Sequence, residues 1–311
     1  MIKDLMRFGR VEENVALKDY NTYKIGGTAR YISFPENVDS LQELITYLKT
    51  NNVKYKIFGN GSNMIVGDNL YDGVIIKLSK LDSINIDSDS NEVYAESGVM
   101  LPILAMKCVN AGFAGIEWAA GIPGTVGGSI IGNAGSYNVE LYDCLKNITL
   151  INEAGILETV DVKNVKHAYR YSEFKERDVT IIGGTFKLVP ANREELLELI
   201  ESRKEKRKET QPLEYPSAGS VFRNPTDENL ANAYKNFDLK GPFAGHLIEK
   251  CGLKGKSING AEISEKHANF IINKGNATAA DIKELIDLMK NTVKDKFDCE
   301  LKAEQEFFNW E

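Results

Sequence analysis

Cysteine is scarce in this chain of 311 residues: Cys108, Cys144, Cys251 and Cys299 stand far apart, no C-x-x-C occurs, and no histidine follows one at zinc-like spacing. The pattern indicates neither a disulfide framework nor a metal site, and it reads as four reduced structural thiols in a cytosolic protein. No apolar run reaches membrane-spanning length, and the opening MIKDLMRFGRVEEN carries acids and arginines where a signal peptide has a continuous apolar stretch. A cytoplasmic chain with no membrane partner is expected. Basic residues are outnumbered, 38 Lys and Arg against 45 Asp and Glu for a formal net charge of −7. That balance argues against a general nucleic-acid binder while allowing a local basic pocket for an anionic substrate. The familiar nucleotide loops are missing too. FGNGSN, residues 58–63, begins as G-x-G but is followed by Met64 where a dinucleotide fingerprint needs its third glycine, and no G-x-x-x-x-G-K-[ST] occurs.

What is present is enough apolar content, 42%, for two or three domains. ENVDSLQELITYLKTNN spaces Val38, Leu41, Ile45 and Leu48 along one helical face, and KYKIF follows as a strand. GVIIKL, INIDSDSNEVYAESG, NITLINEAGILETVDV and VTIIGGTFKLV read as strands joined by Asp, Ser, Asn or Ala-Gly turns, which predicts a sheet-rich middle with few helices. Residues 191–210 turn helical and strongly charged and are expected to connect domains. Their basic cluster Arg203, Lys204, Lys206, Arg207 and Lys208 is interleaved with Glu201, Glu205 and Glu209, so a solvated face is favoured over a phosphate site. Thr278 with Asp281 gives a helix start, after which Ile282, Leu285, Ile286, Met289, Val293 and Phe297 form an apolar core stripe before a final strand-like CELKAEQEFF.

The densest feature is GIPGTVGGSIIGNAGSY, residues 121–137, with glycines at 121, 124, 127, 128, 132 and 135. Ordering that much glycine is entropically costly, so the run implies left-handed turns or a ligand lying against the main chain. The Gly-Asn-Gly-Ser-Asn turn at residues 59–63 exposes successive backbone N–H groups that suit a pyrophosphate, and it suits a plain tight turn as well.

Taken together, the two glycine stretches resemble the FAD-binding domain of the vanillyl-alcohol oxidase and p-cresol methylhydroxylase group. Within that group the chain resembles the UDP-N-acetylenolpyruvoylglucosamine reductase family almost end to end. NTYKIGGTA, both glycine stretches, AYRYSEF, PSAGSVFRNP, FAGHLIEKCGLKG and HANFIINKGNATAADI occur in the family's order. The resemblance implies an α+β protein: a bipartite, non-Rossmann FAD-binding domain of the p-cresol methylhydroxylase type, then a C-terminal α+β substrate-binding domain. Residues 1–78 and 79–200 would be the two FAD-binding subdomains and residues 201–311 the substrate domain, its last strand near the flavin.

The implied activity is NADPH-dependent reduction of UDP-N-acetylglucosamine enolpyruvate to UDP-N-acetylmuramate in peptidoglycan synthesis. Related FAD oxidases of small alcohols or sugar lactones, and a catalytically silent flavin or nucleotide-sugar binder, are the alternatives. Such a reaction needs a hydride delivered to C3, a polar clamp for the charge that develops at C2 and the carboxylate, and an acid for C2. By resemblance Arg170 in AYRYS is the clamp, Ser220 in SAGSVFRNP the proton donor and Glu304 in LKAEQEFF the clamp's further member. A forked cation suits an enolate, and a carbanion beside a carboxylate is basic enough to deprotonate a serine held in place. The family's usual Glu-Val followed by Arg is here Glu304, Gln305, Glu306, and because alternate strand residues share a face Glu306 competes with Glu304.

The flavin would be held by Gly59, Asn60, Gly61, Ser62, Asn63, Pro123, Gly124, Gly127, Gly128, Ser129, Gly135 and Tyr137, and the UDP-sugar by Tyr169, Arg223 and Asn224. His167, His246 and His267 match no flavin-attachment position, so FAD is expected to be non-covalent. No metal is expected, and the chain is expected to be a monomer. Residues 226–240 look inserted, as a surface loop or a lid.

Overall fold

The computed structural model describes residues 1–225 and 243–310, and the expected insert lies outside them. The chain divides into two compact units that interleave along the sequence. One comprises Met1–Val15, Ala29–Asn60 and Asp72–Lys206, the other Ala16–Thr28, Gly61–Tyr71 and Arg207–Glu311.

The first unit holds two larger sheets among smaller two-stranded pairs. A four-stranded sheet runs in the order Gly9–Ala16, Thr28–Pro35, Tyr71–Lys77, Tyr55–Phe58, the last two strands parallel with Phe58 opposite Lys77. The helix Val38–Thr50 starts at a reciprocal cap: the Ser40 N–H donates to Asn37 Oδ1 at 2.9 Å, and the Asn37 N–H donates to Ser40 Oγ at 3.0 Å. Its spacing buries Leu41, Leu44, Ile45 and Leu48 against Val74 and Ile76 of the sheet. The antiparallel five-stranded sheet orders Leu157–Asp161, Leu145–Ile151, Thr180–Lys187, Glu92–Glu96 and Ile84–Asp87, matching the strands expected from the middle of the sequence.

Two helices there were not expected. Leu101–Asn110 begins with Pro102 in its first turn, where the missing N–H costs nothing, and it buries Leu101, Leu104, Ala105 and Cys108 with the sheet residues Val93, Ala95 and Ile148. Val126–Gly132 is helical although it contains Gly127, Gly128 and Gly132. Propensity is overridden by burial of Val126 and Ile130, by the Thr125 side chain accepting the Gly128 N–H, and by Asn133, whose left-handed φ of 44° ends the helix.

The long helix Arg193–Thr210 passes from the first unit to the second after Lys206. It is less solvated than its sequence suggests. Leu196 and Ile200 are buried with Val109, and Arg203, only 20% exposed, pairs with Glu117 at 3.2 Å.

The second unit is organised by the helix Ala279–Phe297, capped reciprocally by Thr278 and Asp281. Its whole expected stripe is buried. Around that helix lie the helix Ala244–Lys250, a three-stranded sheet of Ser257–Ile258, Ala261–Ile263 and Ile271–Asn273, and a parallel pair of Met64–Val66 with Glu306–Phe308. The terminal strand is shorter than expected. Residues 301–305 are irregular because Ala303 bridges Phe222 before the chain reaches Met64–Val66.

Candidate functional site

The first glycine turn leaves the strand Tyr55–Phe58, and in the first unit its beginning meets the second glycine stretch. Asn60 Nδ2 donates to the Pro123 carbonyl at 2.7 Å. A Cβ on Gly59 would come within 2.7 Å of Thr125 Oγ1, so a side chain there would push the two segments apart. Lys77, on the strand beside, donates to the Gly59 carbonyl, and burial lowers its ammonium from the ordinary lysine value to about 8. Lys77 was missed from sequence, where the only signal was one cation closing the apolar run GVIIK.

The glycines of the second stretch have two different causes. A Cβ on Gly127 would strike Ser97 Cβ at 2.7 Å, and one on Gly135 would strike the Val139 carbonyl oxygen at 2.4 Å. These two are bare because the protein itself approaches, a cause beside the left-handed turns and the ligand that the sequence suggests. Gly128 and Gly132 differ. A Cβ on Gly128 would meet nothing nearer than Thr125 Oγ1 at 3.5 Å, and one on Gly132 nothing within 4 Å. Ser97 Oγ is buried without a hydrogen-bond partner among the described residues.

Tyr137 and Asn138 both take left-handed φ, 57° and 61°, in the hairpin joining Gly135–Ser136 to Val139–Glu140, the geometry a two-residue primed turn requires. A tyrosine there is strained. It is held by the Arg203 guanidinium 4.5 Å over its ring, and Arg203 is anchored in turn on Glu117.

Arg170, also in the first unit, occupies the turn between His167–Ala168 and Tyr171–Ser172 with φ of 58°. That is a costly conformation for a non-glycine residue and tends to mark functional positions. Its Nη2 donates to the Gly135 carbonyl at 2.6 Å and its Nη1 to the Asn133 carbonyl at 3.5 Å, so the guanidinium lies against the second glycine stretch. Buried Asn133 supports the turn by donating to the Ala168 carbonyl at 2.9 Å and to Glu140 at 2.7 Å. Tyr169 is 40% exposed with its ring 4.9 Å from the Arg170 guanidinium carbon.

Ser220, Arg223, Asn224 and Glu304 belong to the second unit, as do Gly61, Ser62 and Asn63 from the end of the first glycine turn. The segments carrying Ser220 and Glu304 are laced together. The Glu304 N–H donates to the Val221 carbonyl at 2.8 Å and the Arg223 N–H to the Lys302 carbonyl at 3.0 Å. Asn63 completes the brace: its Nδ2 donates to the Glu304 carbonyl at 3.0 Å, and its carbonyl accepts the Glu306 N–H at 2.9 Å. Glu304 therefore lies just ahead of the terminal strand rather than in it, half-buried, while Glu306 is in the strand and exposed.

Two further residues, Asn269 and Gln305, to which the sequence reading gave no role, set this segment. Asn269 exchanges two side-chain hydrogen bonds with the Phe222 backbone, at 3.0 and 2.9 Å. Gln305, 3% exposed, donates to the Ala218 and Gly219 carbonyls and accepts from the Tyr23 hydroxyl. Asn224 Oδ1 accepts the Ala244 N–H at 3.1 Å, so part of its amide serves the helix start. Arg223 Nε is buried with no hydrogen-bond partner among the described residues.

The cysteines stand apart from these residues in character. Burial pushes the Cys108 and Cys144 thiols up to about 12, which leaves them poor nucleophiles. Among the described residues no group of His, Cys, Asp or Glu could hold a metal ion, and no helix is long and apolar enough to cross a membrane.

Comparison with known proteins identifies both parts of the sequence. Residues 29–161 match a family described as an FAD binding domain, and residues 211–308 match the C-terminal domain of UDP-N-acetylenolpyruvoylglucosamine reductase. A Lactobacillus acidophilus protein of that name is 38% identical over 94% of this chain and 93% of its own length. One from Caldicellulosiruptor bescii is 42% identical over 94% of this chain and 88% of its own. The crystal structure of the reductase from Thermus caldophilus superposes with a TM-score of 0.79 at 30% identity, covering 97% of this chain and 99% of that one. With full-length relatives above 30% identity, a superposable solved structure and a matching C-terminal domain, the chain belongs to the UDP-N-acetylenolpyruvoylglucosamine reductase family.

Proposed function

We infer that this chain performs the reaction its family is named for, reducing the enolpyruvyl ether of UDP-N-acetylglucosamine to UDP-N-acetylmuramate during peptidoglycan synthesis, with NADPH as the electron source and FAD as the carrier. The observation that carries the assignment of roles is the lacing of the Ser220 segment to Glu304 through the Val221 carbonyl and the Ala303 to Phe222 bridge. It holds a hydroxyl and a carboxyl on adjoining stretches of one unit, as the proposed roles in the reaction require.

The first unit's residues fit a flavin. Its two glycine segments are tied at Asn60 and Pro123, a Cβ on Gly132 would enter open space, and one on Gly128 would meet nothing nearer than Thr125 Oγ1 at 3.5 Å, leaving bare backbone for a diphosphate to approach. FAD held there by Gly59, Asn60, Pro123, Gly124, Gly127, Gly128, Ser129, Gly135 and Tyr137, with Gly61, Ser62 and Asn63 from the end of the first turn, would be non-covalent. When bound it supplies the hydride that NADPH has delivered to it. Arg170 then stabilises the carboxylate and the charge that grows at C2, with Glu304 completing the clamp. Ser220 gives its proton to C2. Arg223, whose buried Nε is unpartnered among the described residues, meets the substrate's diphosphate, with Tyr169 and Asn224 on the sugar. In this reading residues 1–78 and 79–200 serve the flavin and residues 201–311 the substrate, and the protein works as a cytoplasmic monomer.

The cradle is tested by Gly128→Val. A Cβ there meets nothing nearer than Thr125 Oγ1 at 3.5 Å, and valine is a slightly better helix former than glycine, so the variant is expected to fold with unchanged thermal stability of the apoprotein. It should purify colourless, whereas the parent is yellow and releases intact FAD on denaturation. A yellow Gly128→Val protein with full FAD content would refute the cradle.

A further inference from the structure

Two polar side chains in the second unit have no part in the reaction as described, yet they sit in its core and converge on the segment that carries Ser220. Tyr23 is fully buried and Gln305 is 3% exposed. The Tyr23 hydroxyl donates to Gln305 Oε1 at 3.1 Å, and Gln305 Nε2 donates to the carbonyls of Ala218 at 3.2 Å and Gly219 at 3.1 Å. Those carbonyls belong to the two residues that precede Ser220. Gly219, with φ of 74°, is the most adaptable link in that segment, and it is the link the amide grips.

The geometry also fixes which way the amide faces. If the Gln305 side chain flipped, its oxygen would confront two carbonyl oxygens, an arrangement with no proton to share. In the observed orientation each amide atom meets a complementary partner. Tyr23 is anchored in turn, its own carbonyl accepting from Asn273 Nδ2 at 3.0 Å. Burial raises the phenol above its ordinary value, so the hydroxyl keeps the proton it donates. An amide and a phenol enclosed among apolar side chains are costly unless every atom is satisfied, and this pair is satisfied only when the Ser220 segment is in place.

We propose that Gln305, oriented by Tyr23, is a positioning residue that holds the Ala218–Gly219 peptide units and through them the Ser220 hydroxyl in line with the substrate carbon it protonates. The inference rests on the reading of Ser220 as proton donor.

The test compares Gln305→Leu, Tyr23→Phe and Ser220→Ala in the FAD-loaded protein. Flavin absorbance is followed by stopped flow, separately for reduction by NADPH and for reoxidation by UDP-N-acetylglucosamine enolpyruvate. Gln305→Leu is expected to slow reoxidation about 10–100-fold, the scale of a misplacement near 1 Å. It should leave reduction by NADPH within about twofold and increase the solvent isotope effect on reoxidation as proton delivery becomes limiting. Amide hydrogen exchange at residues 217–222 should quicken, a readout independent of turnover. Tyr23→Phe, the milder change and the one to rely on if Gln305→Leu misfolds, should slow the same half-reaction about two- to fivefold, since the amide keeps its grip but loses its orienting partner. Equal slowing of both half-reactions, or unchanged reoxidation in the Gln305 and Tyr23 variants while Ser220→Ala is impaired, overturns the positioning role alone. Unimpaired reoxidation in Ser220→Ala overturns the proton-donor reading and this inference with it.

Discussion

Ser220→Ala is expected to leave reduction of the flavin by NADPH nearly unchanged while reoxidation by the enolpyruvyl substrate falls about 10²–10⁴-fold, the range a general acid contributes. Only the second half-reaction needs a proton at C2, and water is a poorly placed substitute. Ser220 is half-buried on a segment braced from three directions, by Glu304 through the Val221 carbonyl, by Asn269 through Phe222, and by Gln305 through Ala218 and Gly219. Removing one hydroxyl disturbs none of these bonds, so substrate affinity and thermal stability should stay close to the parent's. Equal slowing of both half-reactions, or of neither, would reduce this serine to a turn residue.

Arg170→Ala is expected to behave differently. Its charge is needed as the anion forms, so reoxidation should slow about 10²–10³-fold, comparable to deletion of a donor that stabilises an oxyanion, and the substrate should bind more weakly as well. A third effect follows from the structure. The guanidinium bonds the Gly135 and Asn133 carbonyls of the second glycine stretch, so its loss should weaken FAD retention, which Ser220→Ala should not do. Arg170→Lys should recover little, because a single ammonium cannot reproduce the forked contacts. Flavin titration of the apoprotein beside the two half-reactions separates these effects. An Arg170→Ala protein with normal FAD affinity and normal reoxidation would remove the residue from the site.

Where sequence alone was informative, local pattern and tertiary demand agree. The helix Ala279–Phe297 carries its start in Thr278 and Asp281 and its buried face in an unbroken 3.6-residue stripe. The strands of the middle sheet declare themselves by β-branched runs between turn residues. Val126–Gly132 was not legible because glycine opposes helix, and what overrides it is a Thr125 cap and the burial of the helix's own Val126 and Ile130 in the core of the unit. Glu304 was read into the last strand because alternation cannot show where pairing begins. The Ala303 to Phe222 bridge decides that, and it is a contact distant in sequence. Arg203 was read as solvated from its charged neighbours, yet Glu117 and Tyr137 claim it. Lys77 showed only as one cation closing an apolar run and Gln305 only as an amide between two glutamates, signals that mark a position without saying which backbone it will grip.

The most direct test of the central claim is anaerobic turnover of the purified protein with NADPH and UDP-N-acetylglucosamine enolpyruvate, following NADPH absorbance and identifying the product by mass. The account predicts NADPH consumption that starts when the enolpyruvyl compound is added and matches it one to one, with a product carrying two additional hydrogens, and only slow NADPH loss when oxygen is the sole acceptor. Rapid peroxide formation with oxygen, and no response to the enolpyruvyl compound, would contradict it and place the protein among the FAD oxidases.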